Sequence, residues 1–380
     1  MTQALAPDDA GRRTIRGAVL ETQGAAQPYA ESKPLAVSEL SVEAPGEDEI
    51  FVRMTAAGVC HSDLSVVNND RPRELPLLLG HEATGVVEEL GSGVDDLEVG
   101  DHVVMTFQPR CGECKGCRGG GRFPCEKGGV SNANGTLLRG TRHLKRGDET
   151  VDHFIGVSAF ATGAVVDRHS VVKIGKDVPP AIACVFGCAF LTGGGALLNV
   201  LKPGPEDSVA VVGLGGVGMA AVLVAKALGI KELIGVDLSE EKRKQALDFG
   251  CTKVYSPEEA VEEGVRADAV LEAVGHPSAL KTAWDITAPG QTTCTIGLPH
   301  PDATLEIKPF QLTAQARRLV GSYLGSAIPE NDIPRYEQLW REGRLDAEKL
   351  ISSSITLDEI NEAMDTLSQA KALRQIIHFD

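Results

Sequence analysis

The sequence predicts an α/β fold in two parts, an irregular β region followed by a doubly wound parallel sheet. Between Gly17 and about Val104, short apolar runs alternate with Pro-Gly, Gly-Asp and Gly-Ser turn signals, which is typical of short strands. From Ser208 onward, β-branched stretches alternate with helical ones, which indicates βαβ units. A chain of 380 residues exceeds the usual size of one domain, so we expect two domains.

The first part is predicted to contain several strands and two stretches without regular structure. Residues 1–15 are polar and alanine-rich, so a loose terminus is expected. Residues 128–150 are glycine-rich and polar, which predicts an exposed excursion. The predicted strands are residues 17–20, 49–57, 85–90 and 102–106.

The second part shows the alternation of strands and helices directly. Residues 208–212 form a β-branched run, and an alanine-rich helical stretch follows at 216–228. A strand at 232–236 precedes a helix at 239–249 that begins with Ser-x-x-Lys. Further strands are predicted at 269–273, 292–297, 319–322 and 375–378, and further helices at 333–342 and 357–368.

Two uncharged apolar stretches, residues 178–201 and 209–225, raise the question of a membrane span. The first contains Pro179, Pro180 and three consecutive glycines, and the second has four glycines within six positions. Helix-breaking residues at this density favour buried strands, turns and helix starts over lipid-facing helices. We therefore predict no membrane partner.

Composition and charge narrow the class of protein. The chain is 42% hydrophobic and 24% charged, as expected for a globular protein. Its formal net charge of −16 argues against nucleic acid and anionic membranes as partners, because both require a basic face. Nine cysteines, an odd number, without a secretory leader indicate a reducing cytoplasm in which thiols serve metals.

Four of these cysteines form the most specific motif of the chain. Cys111, Cys114, Cys117 and Cys125 follow the spacing C-x2-C-x2-C-x7-C in a glycine-rich loop, so one short segment can wrap a tetrahedral Zn²⁺ in a closed, structural site. Paired disulfides fit a secreted protein better. An iron–sulfur run has its fourth cysteine sooner and a proline after it, whereas Pro124 precedes Cys125 here.

A phosphate-binding turn is predicted where the second part begins. The run SVAVVGLGGVG contains G-x-G-x-x-G as Gly213, Gly215 and Gly218, between a strand and a helix. These glycines permit the tight turn, the approach of a pyrophosphate and the packing of helix on strand. Asp237 ends the next strand, where its carboxylate would accept the ribose hydroxyls and repel a 2′-phosphate, which selects NAD over NADP. Lys242 would flank the ribose.

A second metal site is suggested by residues that are far apart in the sequence. Cys60 follows the strand at 49–57, His81 follows a glycine, and Cys188 precedes the dinucleotide region. A catalytic zinc takes three protein ligands and keeps one open position. Spacing alone cannot join these residues, and Cys184 competes for the third role.

The chain resembles the zinc-dependent alcohol dehydrogenases of the medium-chain dehydrogenase/reductase family over roughly residues 17–380. The motifs that carry the resemblance are, in order, GVCHSD, GHEATGVVEELGSGV, GDHVV, the four-cysteine loop, GCAFLTGGGA, VVGLGGVG, IGVD and DEINEAMDTLSQAKALRQII. It implies a GroES-like catalytic domain at 1–189, a Rossmann NAD-binding domain at 190–323, and a C-terminal segment at 324–380 that completes the catalytic domain.

The resemblance also implies roles for individual residues. It places Cys60, His81 and Cys188 on a catalytic zinc, which makes two zinc ions per chain, with Glu82 and Asp63 behind the ligands. Cys184 then lies off the metal. Ser62 would accept the proton of an alcohol whose pKa the cation lowers, and the carbon would give a hydride to the nicotinamide. The implied coenzyme contacts are Thr192 and Val217 at the nicotinamide, His61 and Arg374 at the pyrophosphate, and Gly216 with the glycines of the turn.

The implied substrate is a primary aliphatic or aromatic alcohol, or its aldehyde. The family positions that line the substrate pocket correspond to Phe107, Val130, Phe154, Ile155 and Leu298, which make an apolar slot. Members that act on glutathione adducts of formaldehyde carry acidic residues between the first two zinc ligands, whereas this chain has Arg71 and Arg73 there. Many members also end the proton relay in a histidine at the position of Ser65.

Three functions are carried forward from the sequence. The first is an NAD-dependent alcohol dehydrogenase, cytoplasmic and by resemblance a homodimer. The second is a formaldehyde dehydrogenase that acts on a thiol adduct. The third is a non-catalytic zinc protein or redox sensor on the same scaffold.

Overall fold

The computed structural model describes residues 5–379, which divide into two compact units. The first unit combines Met1–Cys188 with Ile351–Asp380, and the second is Ala189–Leu350. The segment that completes the first unit was predicted to start at residue 324, but it starts at Ile351, because residues 324–350 belong to the second unit. The cause is packing: Asn199 donates to Asp332 Oδ2 at 3.2 Å, and Gly325 lies against Gly195.

Five strands of the first unit close into a barrel. Ile15 and Leu144 pack inside it, as expected for strands whose side chains alternate between faces. In order around the barrel, the strands are Arg13–Leu20, Leu35–Val42, Leu144–Arg146, Glu149–His153 and Leu77–Leu78.

Two expectations about irregular segments are wrong in this barrel. The first strand begins at Arg13, inside the stretch expected to be loose. Residues 128–150 supply the strand Leu144–Arg146 and the fully buried Leu137. The polar composition of both segments concealed a few apolar anchors, and only the closed barrel shows where these anchors pack.

Two strands of the second sheet of the first unit adjoin predicted metal ligands in the sequence. The strand Glu49–Val59 runs directly to Cys60, and Glu82–Leu90 begins directly after His81. In order across the sheet, the strands are Val171–Ile174, His102–Met105, Glu82–Leu90, Glu49–Val59, Arg374–His378 and Ile351–Ile355, and Gly163–Asp167 also pairs with Glu49–Val59. The predicted strands at 49–57, 85–90 and 102–106 all lie in this sheet.

The helices of the first unit are short, with four to nine residues in each of the α-helical segments named below. The segment Ile360–Ser368 packs Ile360 and Met364 into the larger core of the unit. The helices are Tyr29–Ser32, His61–Val67, Lys115–Arg118, Glu126–Ala133, Pro180–Val185 and Ile360–Ser368, with 3-10 turns at Arg168–Ser170 and Leu357–Glu359.

The second unit is built on a six-stranded parallel sheet. Its strands, in order, are Lys253–Tyr255, Glu232–Val236, Ser208–Val212, Ala267–Glu272, Thr287–Thr295 and Arg318–Gly321. This 3-2-1-4-5-6 order is that of a doubly wound dinucleotide-binding sheet. The helices are Gly216–Ala227, Glu240–Phe249, Pro257–Glu262, Pro277–Asp285, Pro309–Ala314 and Pro329–Arg341, with 3-10 turns at Leu324–Ser326 and Ala347–Leu350.

One continuous helix, Pro180–Leu201, occupies a stretch that was expected to be broken. It changes to π geometry over Phe186–Phe190 and again over Ala196–Leu201. Among residues 5–379 it is the one helix long and apolar enough to cross a membrane by length and composition. Since 83% of its most apolar window is buried inside the protein, it has the character of a core helix.

A buried histidine at the barrel end makes the unfolding free energy depend on pH. His153 Nε2 accepts a hydrogen bond from His143 N at 3.3 Å, and His143 Nε2 lies 2.7 Å from Glu49 Oε2. Burial, together with the nearby His143, lowers the pKa of His153 to about 3. The unfolded chain takes up this proton near pH 6.5, so stability is lost as the pH falls from 6.5 towards 3.

Replacing His153 with glutamine is expected to reduce this loss, because an amide oxygen keeps an acceptor and does not titrate. Between pH 7 and pH 5, the unfolding free energy of the parent should fall about 2 kcal/mol more than that of His153→Gln. Urea unfolding at the two pH values measures it, with His378→Gln at the exposed His378 as control. Equal losses in all three proteins would contradict the assignment.

Candidate functional site

Three predicted ligands meet in the first unit. The sulfur atoms of Cys60 and Cys188 and a ring nitrogen of His81 all lie within 4.8 Å of one another, and the three residues are buried. Cys188 Sγ is 3.6 Å from His81 Nε2. Cys184 is not in this cluster, and its thiol donates to Ala181 O at 3.4 Å.

Local backbone geometry explains how each ligand is presented. Cys60 is extended, with φ −119° and ψ 154°, and it caps the helix His61–Val67. Gly80 has φ +92°, and a Cβ there would lie 2.5 Å from the backbone nitrogen of Phe160, so only glycine can precede His81. Cys188 lies in the π-helical turn of the long helix, a geometry often found at functional sites.

One carboxylate orients two of the ligands. Asp63 Oδ2 accepts a hydrogen bond from Cys60 N at 3.0 Å. Asp63 Oδ1 lies 3.0 Å from His81 Nδ1 and accepts from Gly80 N at 3.3 Å. With the Nδ1 proton directed at Asp63, the lone pair of His81 Nε2 faces the two sulfur atoms.

A buried ion pair lies next to the same cluster. Arg374 Nε is 3.1 Å from Glu82 Oε2, and Arg374 Nη2 donates to Cys60 Sγ at 3.6 Å. A hydrogen bond from Cys188, together with the positive charge of Arg374, lowers the pKa of the Cys60 thiol, which favours the thiolate. Burial raises the pKa of Glu82 to about 7, against the opposing charge of Arg374.

These donors fit Zn²⁺. Two thiolates and one imidazole are ligands that zinc prefers, and three protein ligands leave one tetrahedral position for water or substrate. The Asp63 contact supplies the outer support that zinc-binding histidines usually have. The cluster therefore has the composition of a catalytic rather than a structural zinc site.

The four-cysteine loop gathers its sulfur atoms as the spacing predicted. The ligand atoms of Cys111, Cys114, Cys117 and Cys125 all lie within 4.8 Å of one another. Backbone N–H groups point at the sulfurs: Cys114 N donates to Cys111 Sγ at 3.4 Å, and Gly128 N donates to Cys125 Sγ at 3.3 Å. This set fits a closed, four-thiolate zinc site.

Aromatic rings flank the three-residue cluster. The Phe107 ring meets His81 edge-on, with centroids 5.4 Å apart at 87°, and Phe154 does so at 5.8 Å and 75°. Ile155 packs against the larger hydrophobic core of the first unit, which contains Phe154. Val130 is 62% exposed, and Leu298, which is 50% exposed, belongs to the second unit.

The glycine turn of the second unit has the geometry of an anion cradle. Gly213 has φ +96°, and a Cβ at Gly218 would lie 1.9 Å from the oxygen of Gly213. A Cβ at Gly215 would meet no described atom within 4 Å, so this glycine leaves space above the turn. No described side chain caps the helix that starts at Gly216, so its first N–H groups remain available to a pyrophosphate.

Asp237 lies beside this turn. Its Oδ2 accepts a hydrogen bond from Leu214 N at 2.7 Å, and its Oδ1 accepts one from Ser239 N at 2.9 Å. Each oxygen keeps a second lone pair that could accept a ribose hydroxyl. Lys242 lies in the first turn of the helix Glu240–Phe249, and its backbone N–H donates to Ser239 Oγ. The donors and acceptors of this region fit an adenosine ribose.

The remaining predicted residues lie on three helices. In the first turn of His61–Val67, His61 is exposed and Ser62 is half-buried. In the second unit, Thr192 is half-buried in the long helix, and Val217 lies in the first turn of Gly216–Ala227, with its carbonyl against Gly193. The roles of His61, Thr192 and Val217 at the coenzyme, and of Ser62 in proton transfer, stay predictions.

Sequence reasoning missed two features of the metal cluster. Arg374 was expected only at the pyrophosphate, but it also contacts Glu82 and the sulfur of Cys60. Gly58 is needed because a Cβ there would lie 2.8 Å from Glu82 Oε1. The glycine of the GVCHSD motif was the available signal, but its partner could not be identified from spacing.

Comparison with known proteins is consistent with this geometry. Residues 46–180 match the alcohol dehydrogenase GroES-like domain, and residues 216–342 match the zinc-binding dehydrogenase domain. Alcohol dehydrogenase B of Mycobacterium tuberculosis is 35% identical over 92% of this chain and 96% of its own length. Alcohol dehydrogenase class-3 of Drosophila melanogaster is 32% identical over 93% and 97%. The crystal structure of benzyl alcohol dehydrogenase from Acinetobacter calcoaceticus is 31% identical, with a TM-score of 0.88 over 97% of this chain and 100% of that one.

Proposed function

The chain belongs to the zinc-dependent alcohol dehydrogenases of the medium-chain dehydrogenase/reductase family, and from this premise we propose that it interconverts a primary alcohol and its aldehyde with NAD. The observation that carries the proposal is the buried cluster of Cys60, His81 and Cys188. Its donor set leaves room for one further ligand, which a purely structural zinc site does not.

The residues of the chain prepare the reaction in three ways. When bound, zinc supplies the charge that lowers the pKa of an alcohol hydroxyl, and NAD accepts the hydride from the carbinol carbon. Asp63 keeps His81 and the Cys60 backbone in position. Arg374 donates to the Cys60 sulfur, which favours its thiolate. Ser62, two residues after Cys60, accepts the alcohol proton while its own hydroxyl proton passes to water.

The proposed substrates are primary aliphatic and aromatic alcohols. The rings of Phe107 and Phe154, which both meet His81 edge-on, support an apolar slot that accepts an alkyl chain or a ring. The likeness to a benzyl alcohol dehydrogenase supports the aromatic class. Arg71 and Arg73, between the first two metal ligands, weigh against a glutathione adduct as substrate.

The proposal includes two zinc ions per chain, one at each cysteine cluster, and NAD rather than NADP. The carboxylate of Asp237 beside the glycine turn supports NAD, because it would repel a 2′-phosphate. We also propose a cytoplasmic homodimer that acts on a small molecule and has neither nucleic acid nor membrane as partner. The net charge of −16 supports the last point.

A substrate panel tests the proposal against its two alternatives. Purified protein loaded with zinc should form NADH from benzyl alcohol and short primary alcohols without added thiol. NADH formation from formaldehyde only when a thiol such as glutathione is present would favour the thiol-adduct enzyme. Two zinc ions per chain with no NADH formed from any alcohol would favour a non-catalytic zinc protein.

Ser65 allows a prediction about the proton path. Its hydroxyl donates to His61 O at 2.9 Å within the helix, and it cannot act as a base near neutral pH. Ser65→His is expected to add a limb with an apparent pKa near 6.5 to the pH–rate profile, because it introduces an imidazole. Steady-state rates from pH 5 to 9 measure it, with Ser65→Asn as the non-titrating control. A limb near 6.5 that the parent shows and Ser65→Asn lacks would contradict proton release from Ser62 to water.

A further inference from the structure

We propose that Asn132 is a positioning residue that sets the preference of the enzyme for ring-bearing alcohols, an inference that rests on the proposed function. Asn132 lies on the helix Glu126–Ala133, directly after the four-cysteine loop. Its side-chain Nδ2 donates to the backbone oxygen of Phe107 at 2.8 Å. The ring of Phe107 meets His81 edge-on. Asn132 thus contacts the residue that forms one wall beside the metal ligands.

Asn132 also lies near the segment that carries Phe154. Gly156 follows Phe154 and Ile155 in a turn with φ +76°. A Cβ at Gly156 would lie 3.4 Å from Asn132 Oδ1 and 3.5 Å from Pro109 Cδ. The Asn132 amide therefore lies between the segment of Phe107 and the segment of Phe154, and both of these rings contact His81.

A single hydrogen bond holds the amide in this place. Asn132 Oδ1 is buried and has no hydrogen-bond donor among residues 5–379. The bond from Nδ2 to the Phe107 carbonyl is then the polar contact that fixes the side chain. Replacing Asn132 with alanine would remove this hydrogen bond to the Phe107 carbonyl, and a carboxylate at the same place would face the partial negative charge of that oxygen.

Hydrogen bonds from the backbone oxygen of Asn132 connect the helix Glu126–Ala133 to the helix His61–Val67, which carries Ser62. Arg73 Nη1 donates to Asn132 O at 3.3 Å, and Arg73 N donates to Gln23 Oε1 at 3.1 Å. Gln23 Nε2 in turn donates to Val66 O at 2.8 Å, in the helix that carries Ser62. This connection uses backbone atoms of Asn132, so side-chain replacement leaves it in place and isolates the effect on Phe107.

The test compares benzyl alcohol with ethanol as substrates of the zinc- and NAD-supplied enzyme. For Asn132→Ala we expect kcat/KM with benzyl alcohol to fall about 5- to 10-fold, mainly through KM, and that with ethanol to change less than about 2-fold. Asn132→Asp should show a larger change in the same ratio. Zinc content and NADH affinity should stay at the parent's values.

Controls separate positioning from a general loss of structure. Asn134→Ala removes the same residue type from the exposed end of the same helix and should keep the parent ratio. In a Phe107→Ala background, Asn132→Ala should have little further effect on the ratio, because both act through one ring. If Asn132→Ala does not fold, Asn132→Ser is measured by the same ratio.

Equal losses for both alcohols, an unchanged ratio, or effects that add to those of Phe107→Ala would overturn the proposal. A parent enzyme that forms no NADH from any alcohol would instead overturn the proposed function. The two failures are therefore distinguishable.

Discussion

Replacing Cys188 with serine is expected to remove the catalytic zinc and to lower kcat/KM for alcohol oxidation on the order of 10³-fold. The physical reason is that zinc strongly prefers thiolate, and the cluster has only three donors. Without the cation, the pKa of the alcohol stays far above neutral. Metal analysis should fall from two zinc ions per chain to one, while NADH binding, measured by fluorescence, is retained.

Cys184→Ser is the matched control for this experiment. Cys184 lies four residues earlier on the same helix, is also buried, and donates to Ala181 O. A serine hydroxyl can keep that hydrogen bond, so zinc content and activity should remain those of the parent. If Cys184→Ser lost the metal and Cys188→Ser kept it, Cys184 would be the third zinc ligand, and the assignment of Cys188 would be wrong.

Replacing Asp237 with asparagine is expected to raise kcat/KM for NADP about 10- to 100-fold and to lower it for NAD by a smaller factor. Removing the carboxylate removes its repulsion of the 2′-phosphate, while the amide oxygen can still accept from a backbone N–H. Arg243 lies close by, with its Nη1 on the carbonyls of Asp237 and Leu238, where a phosphate could meet it.

Steady-state kinetics with both coenzymes at saturating alcohol measure this change. Asp248→Asn, at an exposed position of the helix Glu240–Phe249, removes one negative charge from the same unit and should leave the coenzyme ratio unchanged. A ratio that shifts equally in both variants would assign the effect to overall charge rather than to Asp237.

Two strands of the parallel sheet show what the local sequence pattern can predict. The strands at 208–212 and 232–236 have the predicted bounds, because both are buried β-branched runs that end at a glycine or a polar turn. The following helix begins at the predicted residue, Gly216, because the glycine turn directly before it ends the strand and starts the helix. Such elements are decided by neighbours in the sequence.

The long helix Pro180–Leu201 shows where local pattern fails. Three consecutive glycines predicted a break, yet the helix continues through them. Their function is close packing: a Cβ at Gly193 would lie 2.1 Å from Val217 O, and one at Gly194 would lie 2.7 Å from Val224 Cγ2. Helix propensity is a weak prior that tertiary contacts override, so these glycines were misread as breakers.

The sequence by itself determined the features that depend on short spacing: the four-cysteine loop, the glycine turn with Asp237, and the order of motifs that shows the family. Only the tertiary structure decided which distant residues meet. It brought Cys188 within 3.6 Å of His81 across 107 positions, left Cys184 outside, and paired Arg374 with Glu82 across 292 positions. Such contacts depend on how sheets and helices pack over the whole chain, and no local propensity encodes them.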